Sequence, residues 1–378
     1  MRLIYPIAAA FIVSAGSAAQ TAEPITVIGA FDLTGPASGL DVAAHNGAAL
    51  AVDLINQAGG IDGRPIAFVT VNTESDFSVV ASKVSATLAA HPEAVAGIGY
   101  TYSEEALLAG RVFQAAGLPF ISPGATDPAV PGEVGDDMFY VAYGDDAQAE
   151  AMARFARDQL GASRAAVLIN QKRDYTKTVG RFFTQSFQQL GGNIAYSQNV
   201  TGSDDYASFF AAVKETQADV IYAATLPVLG PTFIEAARDA GITLPLLSAD
   251  GWDEDTIPAA SKAKALTGIY FTTHRFIGVD TPAMKAFVDA YTAKFGAAPP
   301  NAFAPLGFDA VNLLDNAIDR AGSTDPTAIR NALATTTDFQ GVVGKVAYTD
   351  DSRVPKKAVA VIAVDDGVES LRWVAPAD

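Results

Sequence analysis

Cysteine is missing from all 378 residues. The chain therefore has no disulfide, no thiol nucleophile, no Cys-ligated zinc and no lipid-modified cysteine at a cleavage site. Histidine is scarce: His45, His91 and His274 stand alone, without the i, i+4 pairing of a helical zinc site, so surface or locally hydrogen-bonded roles are their default reading. Charged residues make up only 18% of the chain and leave a net charge of -17. A surplus of that sign repels nucleic acid and anionic lipid, and neither is an expected partner. Beyond the N-terminus no stretch approaches about 20 uninterrupted apolar residues, so the chain is not expected to be membrane-embedded. Internal repeats and low-complexity tracts are also missing.

What is present is apolar: 49% of residues are hydrophobic, enough for a large core, and the length suits two domains, which can interleave along the chain. At the start, Arg2, the apolar run "LIYPIAAAFIV" and Ser17-Ala18-Ala19 have the three parts of a secretory signal peptide. Export to the periplasm with cleavage near Ala19 is expected, leaving a soluble mature chain from about residue 20.

From "ITVIGAF" (25–31) onward, β-branched or apolar strands alternate with helical periodicity such as "LDVAAHNGAALAVDLINQAGG" (40–60), which closes on a glycine pair. Further strands are expected at 65–71, 94–99, 118–123, 165–170, 219–224, 245–249 and 267–273, and helices at 76–90, 103–116, 145–160 and 176–190. That alternation predicts an α/β fold with parallel sheets covered on both faces. Two sheets fit, the first reaching to about 140. The junction "FYVAYGDD" (139–146) lacks the Pro, Gly and Ser of a floppy linker and reads as a strand-like hinge. After 275 come three helix candidates, "GKVAYT", and "AVAVIAVDDGVESLRWV", whose Asp-Asp-Gly centre predicts a hairpin.

Signals for catalysis are poor. "GIGYTY" (97–102) begins like a dinucleotide-binding loop, but Tyr102 replaces the third glycine and no acidic residue follows at the ribose distance. "SKAK" (261–264) fits S-x-x-K without the companion S-D-N or K-T-G. Asp250, Asp253, Glu254 and Asp255 do not have the spacing of a calcium loop, and Asp253 to Asp255 read more simply as an acidic helix N-terminus.

The strand ends are more informative, because ligands of open parallel sheets bind beyond the carboxyl ends of the strands. Ser103 follows the strand at 94–99 as an N-cap candidate, and Thr126 follows the next strand in "GLPFISPGATDP" (117–128). Either hydroxyl alone reads as a cap or turn residue; together they can form one anion cradle. In the other half Asp250 ends the strand "PLLSAD", while Tyr175, Thr225 and Trp252 follow or end neighbouring strands. A carboxylate and aromatic surface, with Tyr100 and Tyr102 nearby, would then face the cradle across a cleft, though the aromatics also fit ordinary packing.

The segments "GAFDLTGPASG" (29–39), "NGAALAVDLINQAGGIDGRPI" (46–66), "GLPFISPGATDPAV" (117–130), "TGIYFTTH" (267–274) and "PLGFDAVNLLDNAI" (305–318) resemble the periplasmic branched-chain amino-acid binding proteins, type I solute-binding proteins of ABC importers. The resemblance implies two Rossmann-like lobes with parallel sheets, joined by three crossovers near 143, 274 and 352. The lobes would be 24–142 plus 275–352, and 143–274 plus 353–378, after a signal peptide at 1–19. It also implies that Ser103, Gly124, Ala125 and Thr126 hold a ligand carboxylate and that Asp250 holds an α-amino group. Tyr175 matches a family contact, Leu40 and Thr225 stand where family members carry aromatics, and Tyr102 stands where some have a disulfide half. Tyr102 and Trp252 complete the expected contacts.

The expectation is a monomeric, non-enzymatic solute-binding protein without cofactor or metal. It would capture a small-molecule ligand, an amino acid of branched-chain, other apolar or aromatic type, by cleft closure and deliver it to an ABC permease and ATPase complex. Alternatives are a ligand-sensing subunit for amides or amino acids, a binder of aromatic or short-chain carboxylates without an amine, and an exported enzyme.

Overall fold

A computed structural model describes residues 23–253 and 266–377. The expected leader, Glu254, Asp255 and the 261–264 motif lie outside the described residues.

The first strand, β1 (Ile25–Phe31), is buried along its whole length, as its unbroken apolar run requires of a strand covered on both faces. With β2 (Ile66–Asn72), β3 (Ala96–Gly99), β4 (Phe120–Ser122) and β5 (Met138–Tyr140) it forms a parallel sheet of order β2-β1-β3-β4-β5. The next strands are β6 (Arg164–Asn170), β7 (Asn193–Val200), β8 (Val220–Ala224), β9 (Leu246–Ser248) and β10 (Ile269–Thr273). A small hairpin of β11 (Phe339–Gly341) and β12 (Gly344–Val346) precedes β13 (Val359–Asp365) and β14 (Val368–Ala375). The second sheet has the order β14-β13-β10-β9-β8-β6-β7, parallel except for the antiparallel β13 and β14. Their turn carries Asp366 at φ 50 and Gly367 at φ 78, the left-handed pair that the Asp-Asp-Gly sequence predicts.

Around the first sheet lie α1 (Ser38–Gln57), α2 (Val80–Ala90), α3 (Ser103–Ala116) and the short α4 (Val130–Val134). The second carries α5 (Asp145–Arg154), α6 (Asp174–Gln189), α7 (Tyr206–Lys214) and α8 (Gly230–Asp239). The chain then returns to the first with α9 (Pro282–Phe295), α10 (Phe303–Ala321) and α11 (Pro326–Ala334). Each sheet is thus sandwiched: α1, α9, α10 and α11 close one face of the first and α2 and α3 the other, while α7 and α8 oppose α5 and α6 across the second. Each large side chain buried there contributes about 1.5–3 kcal/mol.

Two glycines set the position of the functional end. A Cβ on Gly47 would lie 1.8 Å from the Ala304 carbonyl oxygen, and one on Gly307 would lie 1.8 Å from that of Ala44. Helices α1 and α10 therefore touch backbone to backbone, which brings Leu40 and Phe303, near their N-termini, to the same end of the sheet.

The chain passes between the sheets at 141–144, 274–281 and 347–358. These passages are tied together: Lys357 Nζ donates to the Val141 carbonyl at 3.1 Å, Tyr140 N–H donates to Arg353 O at 3.0 Å, and the Tyr143 ring stacks on His274 at 4.0 Å.

Two local expectations need correction. Strand β7 was not expected, because "NIAYSQNV" is largely polar; it lies at the sheet edge, where half-exposed positions do not need apolar side chains. Helix α5 ends at Arg154 and continues as a wider turn, Phe155–Gln159, so the 145–160 periodicity is not one regular helix.

Candidate functional site

At the carboxyl end of β3 the backbone turns sharply. Tyr100 has φ 55, a left-handed conformation that costs a bulky residue about 1–3 kcal/mol and persists only where the surroundings fix it. Here its N–H donates to Ala30 O at 3.0 Å, its carbonyl accepts from Ser122 Oγ at 2.8 Å, and its hydroxyl lies 3.0 Å from Thr73 Oγ1. Thr101 N–H donates to buried Asp41 at 2.7 Å. Tyr100 thus packs beneath the site rather than facing it.

Ser103 is the first residue of α3 and not its N-cap, a place taken by Tyr102, whose side chain makes no capping bond. The reason lies in the neighbouring loop: Ser103 Oγ accepts from Asp127 N–H at 3.1 Å and approaches Thr126 N at 3.4 Å, fastening the loop after β4 to the start of α3. Ala125 N–H is held by Ser122 Oγ at 3.0 Å. Gly124 lies flat against Phe303, where a Cβ would come within 2.7 Å of the ring.

The opposite wall is a network of buried side chains. Asp250 Oδ1 accepts from Tyr175 OH at 2.8 Å and from Gln148 Nε2 at 2.9 Å, and Oδ2 lies 3.0 Å from His274 Nε2. Gln148 also donates to Asp145 Oδ1 at 2.7 Å and accepts from Thr272 Oγ1 at 2.6 Å and from Asp250 N–H at 3.1 Å, so both ends of its amide are committed. Tyr175 OH in turn accepts from Gly251 N–H at 3.0 Å. Burial, then the nearby Asp250 charge, pushes the Asp145 carboxyl well above the usual carboxylate range. Burial pulls His274 down, against the opposing pull of Asp250.

Leu40, Thr101, Tyr102, Gly124, Thr126 and Phe303 on one side face Tyr175, Pro227, Asp250 and Gly251 on the other. All the space between these atoms amounts to about 240 Å³, of which about 10 Å³ admits the centre of a water molecule, roughly the room one water needs. The walls are therefore nearly in contact, and anything larger enters only when they part. A wider, open groove, with about 1910 Å³ of empty space against the cleft's 240 Å³, lies elsewhere, along the crossovers, among Arg154, Lys345, Lys356 and Trp373; its size does not make it the site, because the convergent buried polar groups lie in the narrow cleft.

Of the residues expected in the cleft, Leu40, Tyr102, Gly124, Thr126, Tyr175 and Asp250 come together around it, while Ser103 and Ala125 support the loop from behind. Thr225 and Trp252 do not line it: the indole N–H donates to Thr225 Oγ1 at 3.0 Å and the buried ring packs toward Phe233. Sequence reasoning missed Thr101, Pro227, Gly251 and Phe303 on the walls and Gln148, Asp145 and His274 behind Asp250. The i, i+3 spacing of Asp145 and Gln148 at the start of a helix was the one available signal. Asp253 is no exposed helix-terminal acid. It is half-buried and accepts from Thr273 Oγ1 at 2.6 Å and from Ala302 N–H at 3.0 Å.

The cleft is also clasped at its rim. Arg173 reaches Glu105 at 2.6 Å and Glu104 at 3.7 Å, stands over the Tyr102 ring, and is followed by Asp174, whose N–H donates to Glu104 at 2.5 Å. Burial raises the Glu105 carboxyl to about 7 in spite of Arg173.

Residues 24–369 match a family model described as periplasmic binding protein. A Leu/Ile/Val-binding protein homolog 3 from Brucella melitensis is 26% identical over 360 residues, covering 95% of this chain and 96% of its own length. The crystal structure of LivJ from Streptococcus pneumoniae, a branched-chain amino acid transporter substrate-binding protein in complex with isoleucine, superposes with a TM-score of 0.85 at 27% identity, over 93% of this chain and 99% of that one. A solute-binding protein of an ABC transporter from R. palustris, in complex with benzoate, shares the fold, with a TM-score of 0.82 at 22% identity over 94% and 97% of the two chains.

Proposed function

The chain belongs to the periplasmic binding protein family, and we propose that it captures a small carboxylate-bearing solute, an amino acid with an apolar or aromatic side chain, and presents it to an ABC permease and ATPase complex. Proteins of this kind bind and release their solute; they are not enzymes. The observation that carries this reading is the cleft itself, where Thr126 and its loop on one wall face Asp250 on the other, with Leu40, Tyr102, Pro227 and Phe303 as apolar sides. Gly124 and Thr126 would take the carboxylate, with Ser103 and Ala125 holding their loop from behind, Asp250 and Tyr175 the amine, and the apolar residues the side chain. Thr225 and Trp252 would act from beneath.

We assign the lobes to 24–142 plus 275–352 and to 143–274 plus 353–378, the leader to 1–19, and the working form to a monomer. A second reading, an aromatic carboxylate without an amine, is favoured by one feature: Asp250 already has three protein groups within hydrogen-bond reach, so its burial is compensated without a ligand ammonium.

A thermal-shift screen of isoleucine, leucine, phenylalanine, benzoate and 4-hydroxybenzoate tests both readings. Binding to the folded state alone stabilises by about 2.7 kcal/mol at 100 times Kd. Stabilisation by the amino acids, recovered chemically unchanged, is the expected result. Stabilisation by the benzoates alone selects the second reading, and a converted product or no hit at all overturns both.

A further inference from the structure

Asp145 stands where the two walls meet. It opens α5 just after the first crossover, its N–H donates to the Thr126 carbonyl at 2.7 Å, and its side chain lies within reach of the Thr126 hydroxyl. Its Oδ1 and the Oδ1 of Asp250 accept from one and the same nitrogen, Gln148 Nε2, at 2.7 and 2.9 Å, so two buried carboxyls are held close together. Among the described residues, the cation-forming group in contact with this pair is His274, beside Asp250, and the nearby Lys357 charge opposes its protonation. Its Nδ1 is buried without a partner. An imidazolium there would leave an unpaired buried N–H, so geometry favours the neutral ring donating from Nε2 to Asp250.

Tyr143, Tyr175 and Tyr222 pack around these groups, and the further charge acting on Asp145 is Asp127, again negative. Two neighbouring carboxyls in such surroundings cannot both ionise. Tyr175, Gln148 and His274 surround Asp250 with donors, whereas Asp145 Oδ2 is buried with no partner in hydrogen-bond geometry. The proton therefore belongs on Asp145.

We propose that Asp145 is a positioning residue which, as a neutral carboxylic acid, donates from Oδ2 to the Thr126 hydroxyl and so leaves the single Thr126 proton free for the ligand. An ionised Asp145 would do the reverse, drawing the Thr126 proton to itself and placing a second negative charge behind the cradle. The side chain would then select against anions in a cleft that has to admit one. This inference rests on the reading of the cleft as a carboxylate site for its consequence, though not for the location of the proton.

The proton can be located without any ligand. In protein labelled with 13C-aspartate, the side-chain carboxyl carbon of Asp145, assigned through its own backbone, is expected at the protonated position at pH 7; a signal at the ionised position there, or one titrating near pH 4, overturns the proposal. Calorimetry with isoleucine and with benzoate reads the consequence. Asp145→Ala is expected to weaken the bound probe about tenfold. Asp145→Asn, whose amide N–H can replace the acid O–H toward Thr126, is expected to recover most of that loss. Wild-type affinity should fall at alkaline pH as Asp145 ionises, while Asp145→Asn lacks that component. Parallel pH profiles for wild type and Asp145→Asn, or no recovery by Asn in a variant that melts like wild type, overturn the proposal. Failure of both probes to bind any of these proteins would instead sink the carboxylate reading, with the carbon resonance still deciding the proton.

Discussion

On the first wall of the cleft, the groups expected to meet a carboxylate come from two adjacent strand ends: Thr101 to Ser103 after β3 and Gly124 to Thr126 after β4. On the second wall, Asp250 is held by Gln148 from 102 residues away, Tyr175 from 75 and His274 from 24. The first wall is thus mostly local backbone geometry, the second a long-range assembly of side chains. On the first wall the loop amides are already tied down, Thr101 N–H by Asp41, Ala125 N–H by Ser122 and Asp127 N–H by Ser103, so the loop keeps its shape when the Thr126 side chain is removed. A side-chain network has no such reserve, and its central charge is hard to replace.

The largest effect should therefore come from Asp250→Asn. Removing one partner of a buried charge pair costs roughly 3–5 kcal/mol, a loss of 100-fold or more in affinity for an amino-acid ligand. The fold should survive, because the Asn carbonyl can still accept from Tyr175 and Gln148; the tautomer switch that lets His274 Nε2 accept from the new N–H leaves Nδ1–H buried without a partner, a cost of about 1–3 kcal/mol in stability. Calorimetry with the best hit of the screen checks this. Unchanged affinity would mean that the second wall does not hold an ammonium and that the two walls differ less than their chemistry suggests.

Thr126→Ala should do less. A hydrogen bond from a neutral hydroxyl to a charged group is worth about 1.5–3 kcal/mol, and the loop stays fastened by Ser103 and Ser122 without that hydroxyl, so a loss of about tenfold is expected in the same titration. A loss as large as that of Asp250→Asn would show that the first wall depends on its side chain after all.

The same contrast decides how much was legible from sequence. The first wall was readable because it is local: a strand, a Gly-Ala-Thr turn and a helix start announce themselves within ten or so residues, and Leu40, Gly124 and Thr126 do meet around the cleft. The second was readable only in its centre. Asp250 at a strand end could be named, but nothing in the local sequence links it to Gln148 or His274. Trp252 was misjudged for a related reason: a strand-end aromatic can point to cleft or core, and here the buried space beside Phe233 and the Thr225 acceptor won. Phe303 went unnoticed because an apolar residue opening a helix looks like ordinary core. It reaches the cleft only because Gly47 and Gly307 bring α10 against α1.

The smallest effect concerns the rim, where the walls touch through Arg173 and Glu105. Glu105 is fully buried, and burial raises its carboxyl from 4.5 to about 7, outweighing the attraction of Arg173. A carboxyl raised on folding is held in its protonated form more tightly by the folded chain. Its contribution is complete below about pH 4.5 and is lost as pH rises through about 7. Glu105→Gln imitates the protonated acid, keeps an acceptor for Arg173 and does not titrate. Its melting temperature should therefore match wild type near pH 5 and exceed it by a few degrees near pH 8, since about 1 kcal/mol shifts a chain of this size by roughly 2–4 °C or less. Thermal melts of the two proteins across that range measure the difference directly. If wild type gains on the variant as pH rises, the Arg173 ion pair outweighs the cost of burial, and the rim is a true electrostatic clasp between the walls rather than a contact that tolerates a buried acid.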